Sequence, residues 1–179
     1  MSIHDPEERV TKALAPDALV LRMATSLTNR LRKSDVWVHA LGAGVSVDPA
    51  ITRVQRLDKE DELYFIVTAK RNGREPTARF ALDGATGHLL EAAAIAKPRG
   101  ALSTFCDPMA VIASRHRSTE APAATRIELI GRHPTLVWKP CRQSTSRLLP
   151  FWQLTVRDSL VYVRVDGQIF GRLVTTGRG

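Results

Sequence analysis

The chain has 179 residues, 44% of them hydrophobic and 25% charged, which is ordinary for a soluble globular protein. Its formal net charge of +8 is uneven, since residues 1–100 hold 15 Lys/Arg against 13 Asp/Glu and residues 101–179 hold 11 against 5. No apolar run reaches the roughly 18 residues of a membrane span. The N-terminus lacks the apolar core of a secretory signal, so we expect a cytoplasmic protein.

The first predicted element is a helix over residues 16–33. Leu19, Met23, Leu27 and Leu31 recur every four residues and form one apolar face. Cations gather at the C-terminal end of this segment, where they favour the helix dipole. The next segment, residues 36–40, is interpreted as an extension of the helix or as a short strand.

Three strand-like runs follow, over residues 51–57, 63–69 and 77–82. Asn72-Gly73 separates the second and third runs and is a strong hairpin signal. After the third run, the stretch FALDGATGHLL places an Asp-Gly turn before an apolar segment. That segment, residues 89–95, is interpreted as a strand or a short helix.

The second half repeats this order. Residues 96–103 have the Pro and Gly of a linker, and Asp107-Pro108 predicts the start of a helix, with Asp as N-cap and Pro in the first turn. Strands are predicted over residues 125–130, 135–138, 151–156 and 160–165. Asp166-Gly167 then predicts a turn before residues 168–174.

The matching order predicts an internal duplication. The fold class we expect is α+β, with two tandem units that each combine a helix with an antiparallel sheet. The units cover residues 1–98 and 101–179, and the second carries an insertion at residues 139–150. Because a small sheet seldom buries enough surface alone, we expect the units to pack together or to form a homodimer through sheet faces or edges.

Residues 51–93 resemble a PepSY-type domain. The resemblance is carried by an aromatic-centred strand, a hairpin at Asn72-Gly73, and a strand that ends in Asp-x-x-Thr-Gly followed by an apolar residue; the matching residues are Tyr64, Phe65, Phe80, Asp83, Thr86, Gly87 and Leu89. Residues 125–174 are similar more weakly, because they keep Asp166-Gly167 without the Thr-Gly. The resemblance implies a small cystatin-like α+β fold. Members of this family are mostly exported or membrane-associated, and some restrain peptidases.

Sequence signatures of catalysis are lacking. We find no phosphate-binding loop, dinucleotide fingerprint, nucleophile elbow or zinc-protease motif, and the five histidines form no metal-type pair. We therefore expect no cofactor, no metal and no enzymatic activity. Cys106 and Cys141 are expected to be buried thiols, although the sequence leaves a disulfide between them open.

The insertion is the candidate binding site, because loops that interrupt a regular fold often carry function. Cationic and hydroxyl side chains suit carboxylate or phosphate, and the flanking tryptophans could anchor a peptide or stack on a base. The candidate partner-binding residues are Trp138, Lys139, Arg142, Ser144, Arg147 and Trp152. The competing interpretation is a surface loop whose tryptophans belong to the core.

Three functions follow from these patterns. The favoured one is a non-enzymatic binding module that recognises a protein or peptide partner through this loop and through exposed sheet edges. The second is binding of nucleic acid or of another acidic or phosphate-bearing ligand by the basic second half. The third is an enzyme of an unrecognised class.

Overall fold

The computed structural model describes residues 17–96, 102–118, 133–156 and 159–175, and it contains helices and strands of an α+β protein. The α+β class is confirmed. The elements in chain order are α1 (Asp17–Leu31), β1 (Val45–Arg56), β2 (Leu63–Arg71), β3 (Glu75–Asp83), β4 (Leu89–Ala94), α2 (Pro108–Ser118), β5 (Thr135–Trp138), β6 (Phe151–Val156), β7 (Ser159–Arg164) and β8 (Ile169–Phe170). The strand predicted at residues 125–130 lies outside the described residues.

The eight strands in the described part of the chain belong to one sheet, in the order β4-β3-β2-β1-β5-β6-β7-β8. Strands β1 to β4 form one antiparallel meander and β5 to β8 form another. The meanders meet where β1 and β5 run parallel, with Gln55 opposite Val137 and Arg56 opposite Trp138. The predicted halves therefore share one continuous sheet.

Helix α1 packs on one face of the first meander. It buries Val20, Ala24 and Leu27 against a cluster that includes Phe65 and Phe80. Leu27 belongs to the predicted apolar face, whereas Leu19, Met23 and Leu31 are only half-buried at the margin of the contact. Strand β2 is apolar on both of its faces. One face of β2 lies against α1, and the other supports a second cluster that contains residues from both halves of the chain.

The interpretation of residues 36–40 as a helix extension or strand is wrong. The chain makes turns there, in which the Leu41 amide donates to the Trp37 carbonyl over 2.8 Å. Val36 is 82% exposed, so the apolar residues of this segment do not all face a core. Arg32 fixes the segment by donating from Nε to the Leu41 carbonyl and from Nη2 to the Val45 carbonyl.

The DGATG turn shows why these residue types are needed. Asp83 Oδ1 accepts hydrogen bonds from the amides of Ala85 and Thr86 and from the Thr86 hydroxyl. Gly87 has a φ of +70°, and a Cβ at this position would lie 2.5 Å from Met23 Sδ on α1. Glycine therefore suits the backbone conformation, and a larger residue would also require the flexible Met23 side chain to shift.

Candidate functional site

The insertion, called here the 139–150 loop, is fastened to the first meander. The Tyr64 hydroxyl donates to the Arg147 carbonyl over 2.7 Å. On β4, the Glu91 carboxylate accepts from the Ser146 hydroxyl at 2.5 Å and from the Arg147 amide at 2.8 Å. Burial of Tyr64 raises the pKa of its phenol, which keeps the hydroxyl protonated as a donor. The loop is thus a fixed cover over the face of the sheet opposite α1.

The middle of the loop is fastened to the second meander. Arg164 donates from Nη1 to the Gln143 carbonyl over 2.9 Å, and the Val174 amide donates to the Gln143 side-chain oxygen over 3.0 Å. In the opposite direction, the Arg142 amide of the loop donates a hydrogen bond to the Val174 carbonyl. Leu148 and Cys141 turn inward and are buried in the cluster that joins the two meanders.

Trp138 lies at the centre of these contacts. It is 6% exposed, and its indole N–H donates to the Ser146 carbonyl over 3.2 Å. The Tyr64 ring meets it edge-on at 6.3 Å between centroids. The guanidinium groups of Arg56 and Arg147 lie 5.8 Å and 5.0 Å from the ring centroid, within the range of cation–π attraction.

A shallow cleft of about 250 Å³ opens where the loop meets β4. Its lining residues are Glu91, Trp138, Pro140, Cys141, Ser144, Thr145, Ser146 and Arg147. Within it, Cys141 Sγ lies 3.0 Å from Ser144 Oγ, and the Ser144 hydroxyl donates to the Lys139 carbonyl. The cleft combines a carboxylate that already accepts two hydrogen bonds, a guanidinium that lies over the Trp138 ring, and hydroxyl groups.

The structure brings some of the sequence-predicted site residues together and separates others. Trp138, Ser144 and Arg147 line the cleft. Lys139 is half-buried beside it, while Arg142 is exposed and does not belong to its lining. Trp152 does not line the cleft: its indole N–H donates to the Cys106 carbonyl over 3.1 Å, and its ring packs against both the cluster under α2 and the cluster that contains Trp138.

Sequence reasoning missed Glu91 and Tyr64, which position the loop. Tyr64 lies in a predicted strand and Glu91 in a segment interpreted as a strand or a short helix, and both precede their partners by more than 50 residues in the chain. A lone Glu in an Ala-rich strand carries no local signal of its role. Only the pairing of β1 with β5 brings β4 and the loop within reach of each other.

The outer edge of β4 adjoins the cleft through Glu91. β4 ends the sheet and pairs only with β3 among the described residues. The Ile95 amide donates inward to the Thr77 carbonyl, so by alternation the amides of Ala92 and Ala94 point outward. Leu89 and Leu90 are 41% and 37% exposed, and the strand contains neither Lys nor Pro to discourage pairing.

The remaining findings concern the cysteines, metal-ligating side chains and membrane-spanning helices. Cys106 and Cys141 are free thiols. No group of three metal-ligating side chains occurs within the described ranges. None of the described helices has the length and apolar character needed to cross a membrane.

Comparisons with protein families, with curated proteins and with solved structures gave no match.

Proposed function

We propose that the protein is a non-enzymatic binding module that recognises a protein or peptide partner in extended form. The partner adds as a strand to the outer edge of β4 and places side chains in the cleft beside the 139–150 loop. The observation that carries this proposal is the outer edge of β4, which pairs with no second strand in the described part of the chain and has outward amides at Ala92 and Ala94. Strand addition of this kind obtains affinity from main-chain hydrogen bonds and specificity from neighbouring pockets.

The two sheet edges differ in a way that favours β4. Strand β8 spans only Ile169–Phe170, whereas β4 spans Leu89–Ala94. A longer edge offers more hydrogen bonds to an added strand. The only charged side chain of β4, Glu91, is bound to Ser146 and Arg147, so it is not free to repel a pairing strand.

The test uses an array of short peptides from the native proteome, with fluorescence anisotropy to measure the affinity of the peptides that are retained. Ala92→Pro removes the outward amide, and proline is tolerated at edge positions of this kind. We expect it to abolish peptide binding without changing the peptide-free fold. Ala92→Ser is the matched control, because it keeps the amide, and it should bind normally.

Equal binding by Ala92→Pro and the unchanged chain would refute strand addition. A second arm replaces Arg147, which lines the cleft, with Ala, and this variant should bind the peptide more weakly. Arbitrary duplex DNA serves as the third arm. Binding that falls steeply with salt would favour the nucleic-acid alternative over the peptide proposal.

We also propose that the two meanders descend from one PepSY-like unit that was duplicated. The supporting features are the order of helix and meander, the shared Asp-Gly turns before β4 and β8, and the resemblance over residues 51–93. An experimental structure in which residues 101–179 do not superpose strand for strand on residues 1–98 would refute this descent.

A further inference from the structure

A buried guanidinium lies on β3, away from the cleft. Arg79 is 6% exposed, and among the described residues its Nε and Nη1 have no hydrogen-bond partner. Its Nη2 donates to the Ser103 carbonyl over 3.3 Å, and the guanidinium stands 4.1 Å from the centroid of the Phe105 ring. Burial lowers the pKa of Arg79 to about 10, so the group remains charged at neutral pH.

Such an arrangement leaves hydrogen-bonding capacity unused. Arginine has five N–H donors, and buried donors in native proteins are nearly always satisfied. Among the described residues, its contacts are one long hydrogen bond to a carbonyl and one ring contact, which do not supply the negative charge that a buried guanidinium requires. Glu91, on the same face of β4, is already bound to Ser146 and Arg147.

The neighbours of Arg79 across the sheet have short side chains. In the sheet register, Thr68 lies opposite Arg79 on one side and Ala93 lies opposite it on the other. Residues directly opposite share a face, so the short side chains of Thr68 and Ala93 flank Arg79 on that face of the sheet. Thr68, Ala93 and Phe105 are only half-buried, which leaves an approach from solvent.

We propose that Arg79 is the base of a binding site for a carboxylate, which the guanidinium holds. Charge balance selects the ligand class. One guanidinium neutralises one carboxylate, whereas phosphate brings a charge of about −1.5 to −2 and would leave negative charge uncompensated beside Phe105. The site does not depend on strand addition at β4.

The test is an NMR titration of the full chain labelled with ¹⁵N-arginine, with acetate as the probe. We expect the Nε–Hε resonance of Arg79 to shift and saturate, because that atom gains an acceptor. The resonance of exposed Arg142 is the internal control and should change only with ionic strength. Phosphate at matched ionic strength should bind more weakly than acetate.

Three results would overturn the proposal: an Arg79 resonance that does not respond to acetate, one that only follows Arg142, or tighter binding of phosphate than of acetate. A second measurement compares melting temperatures. Acetate should raise the melting temperature of the unsubstituted protein but not the melting temperature of Arg79→Met. If Arg79→Met does not fold, the titration of the unchanged chain still decides the matter.

A further experiment distinguishes an acidic side chain of a peptide from a small free carboxylate as the ligand. A short peptide that contains one Glu is compared with the same peptide containing Gln. A shift of the Arg79 resonance by the Glu peptide alone assigns the site to an acidic side chain. Saturation by acetate with no response to either peptide assigns it to a small free carboxylate.

Discussion

Replacing Glu91 with Ala tests whether the 139–150 loop is held by β4. The substitution removes two hydrogen bonds to a carboxylate, of 2.5 Å from Ser146 and 2.8 Å from the Arg147 amide. A bond to a charged group contributes about 1.5–3 kcal/mol when buried. Glu91 is only half-buried, so water can replace part of the hydrogen bonding that the substitution removes. We therefore expect the free energy of unfolding to fall by about 2 kcal/mol.

Urea denaturation measures this change, since a lower midpoint with an unchanged slope reports lost stability. Glu75→Ala is the matched control, because Glu75 is exposed and its nearest cation, Arg71, is 3.8 Å away. That variant should change stability by less than about 0.5 kcal/mol. Ser146→Ala, combined with Glu91→Ala, should cost less than the sum of the two single changes.

The reasoning would be refuted if Glu91→Ala and Glu75→Ala lost equal stability, or if the changes at Glu91 and Ser146 were simply additive. Either result would mean that the carboxylate does not hold the loop. The cleft would then lose the rigid wall on which the peptide proposal relies.

Three further predictions concern the turns, the core and an ion pair. Gly87→Ala should lose more stability than Gly73→Ala in thermal unfolding, because both have a φ near +70° but only the Cβ at Gly87 would displace a neighbouring side chain, that of Met23. Comparable losses would show that packing at Gly87 is loose. Leu148→Ala should cost about 3 kcal/mol in denaturant unfolding, because the side chain is fully buried. Partial burial by itself would raise the pKa of Asp166, but hydrogen bonds and charge from Arg164 outweigh it and hold that pKa below its usual value. The stability contributed by this pair is present above the unfolded pKa and is lost as pH falls below about 4. Asp166→Asn should therefore flatten the acid limb of the stability profile, and an unchanged limb would contradict the assignment.

Much of the secondary structure could be predicted because it is locally encoded. The ranges 135–138 and 151–156 coincide with β5 and β6, since each run is bounded by Pro or by a polar residue. The Asn72-Gly73 turn, with φ of +49° and +69°, follows from residue types that tolerate this region.

Other parts could not be predicted because they depend on distant partners. Strand β1 begins at Val45, six residues before the predicted start, because Val45 pairs with Arg71 across the hairpin. The register shift between Val47 and Ile51 accommodates Pro49, whose presence breaks the strand pattern in the sequence. The parallel contact of β1 with β5, and hence the site beside Glu91, likewise has no local signal.

The short parallel contact between Gln55–Arg56 and Val137–Trp138 has a consequence for how the protein folds. Each meander is a succession of hairpins, which form from neighbouring residues on the microsecond scale. Joining the meanders requires closure of a loop of roughly 80 residues, and its entropic cost must be met before the contacts form. Refolding should therefore proceed from two independently formed halves, with their union as the slow step.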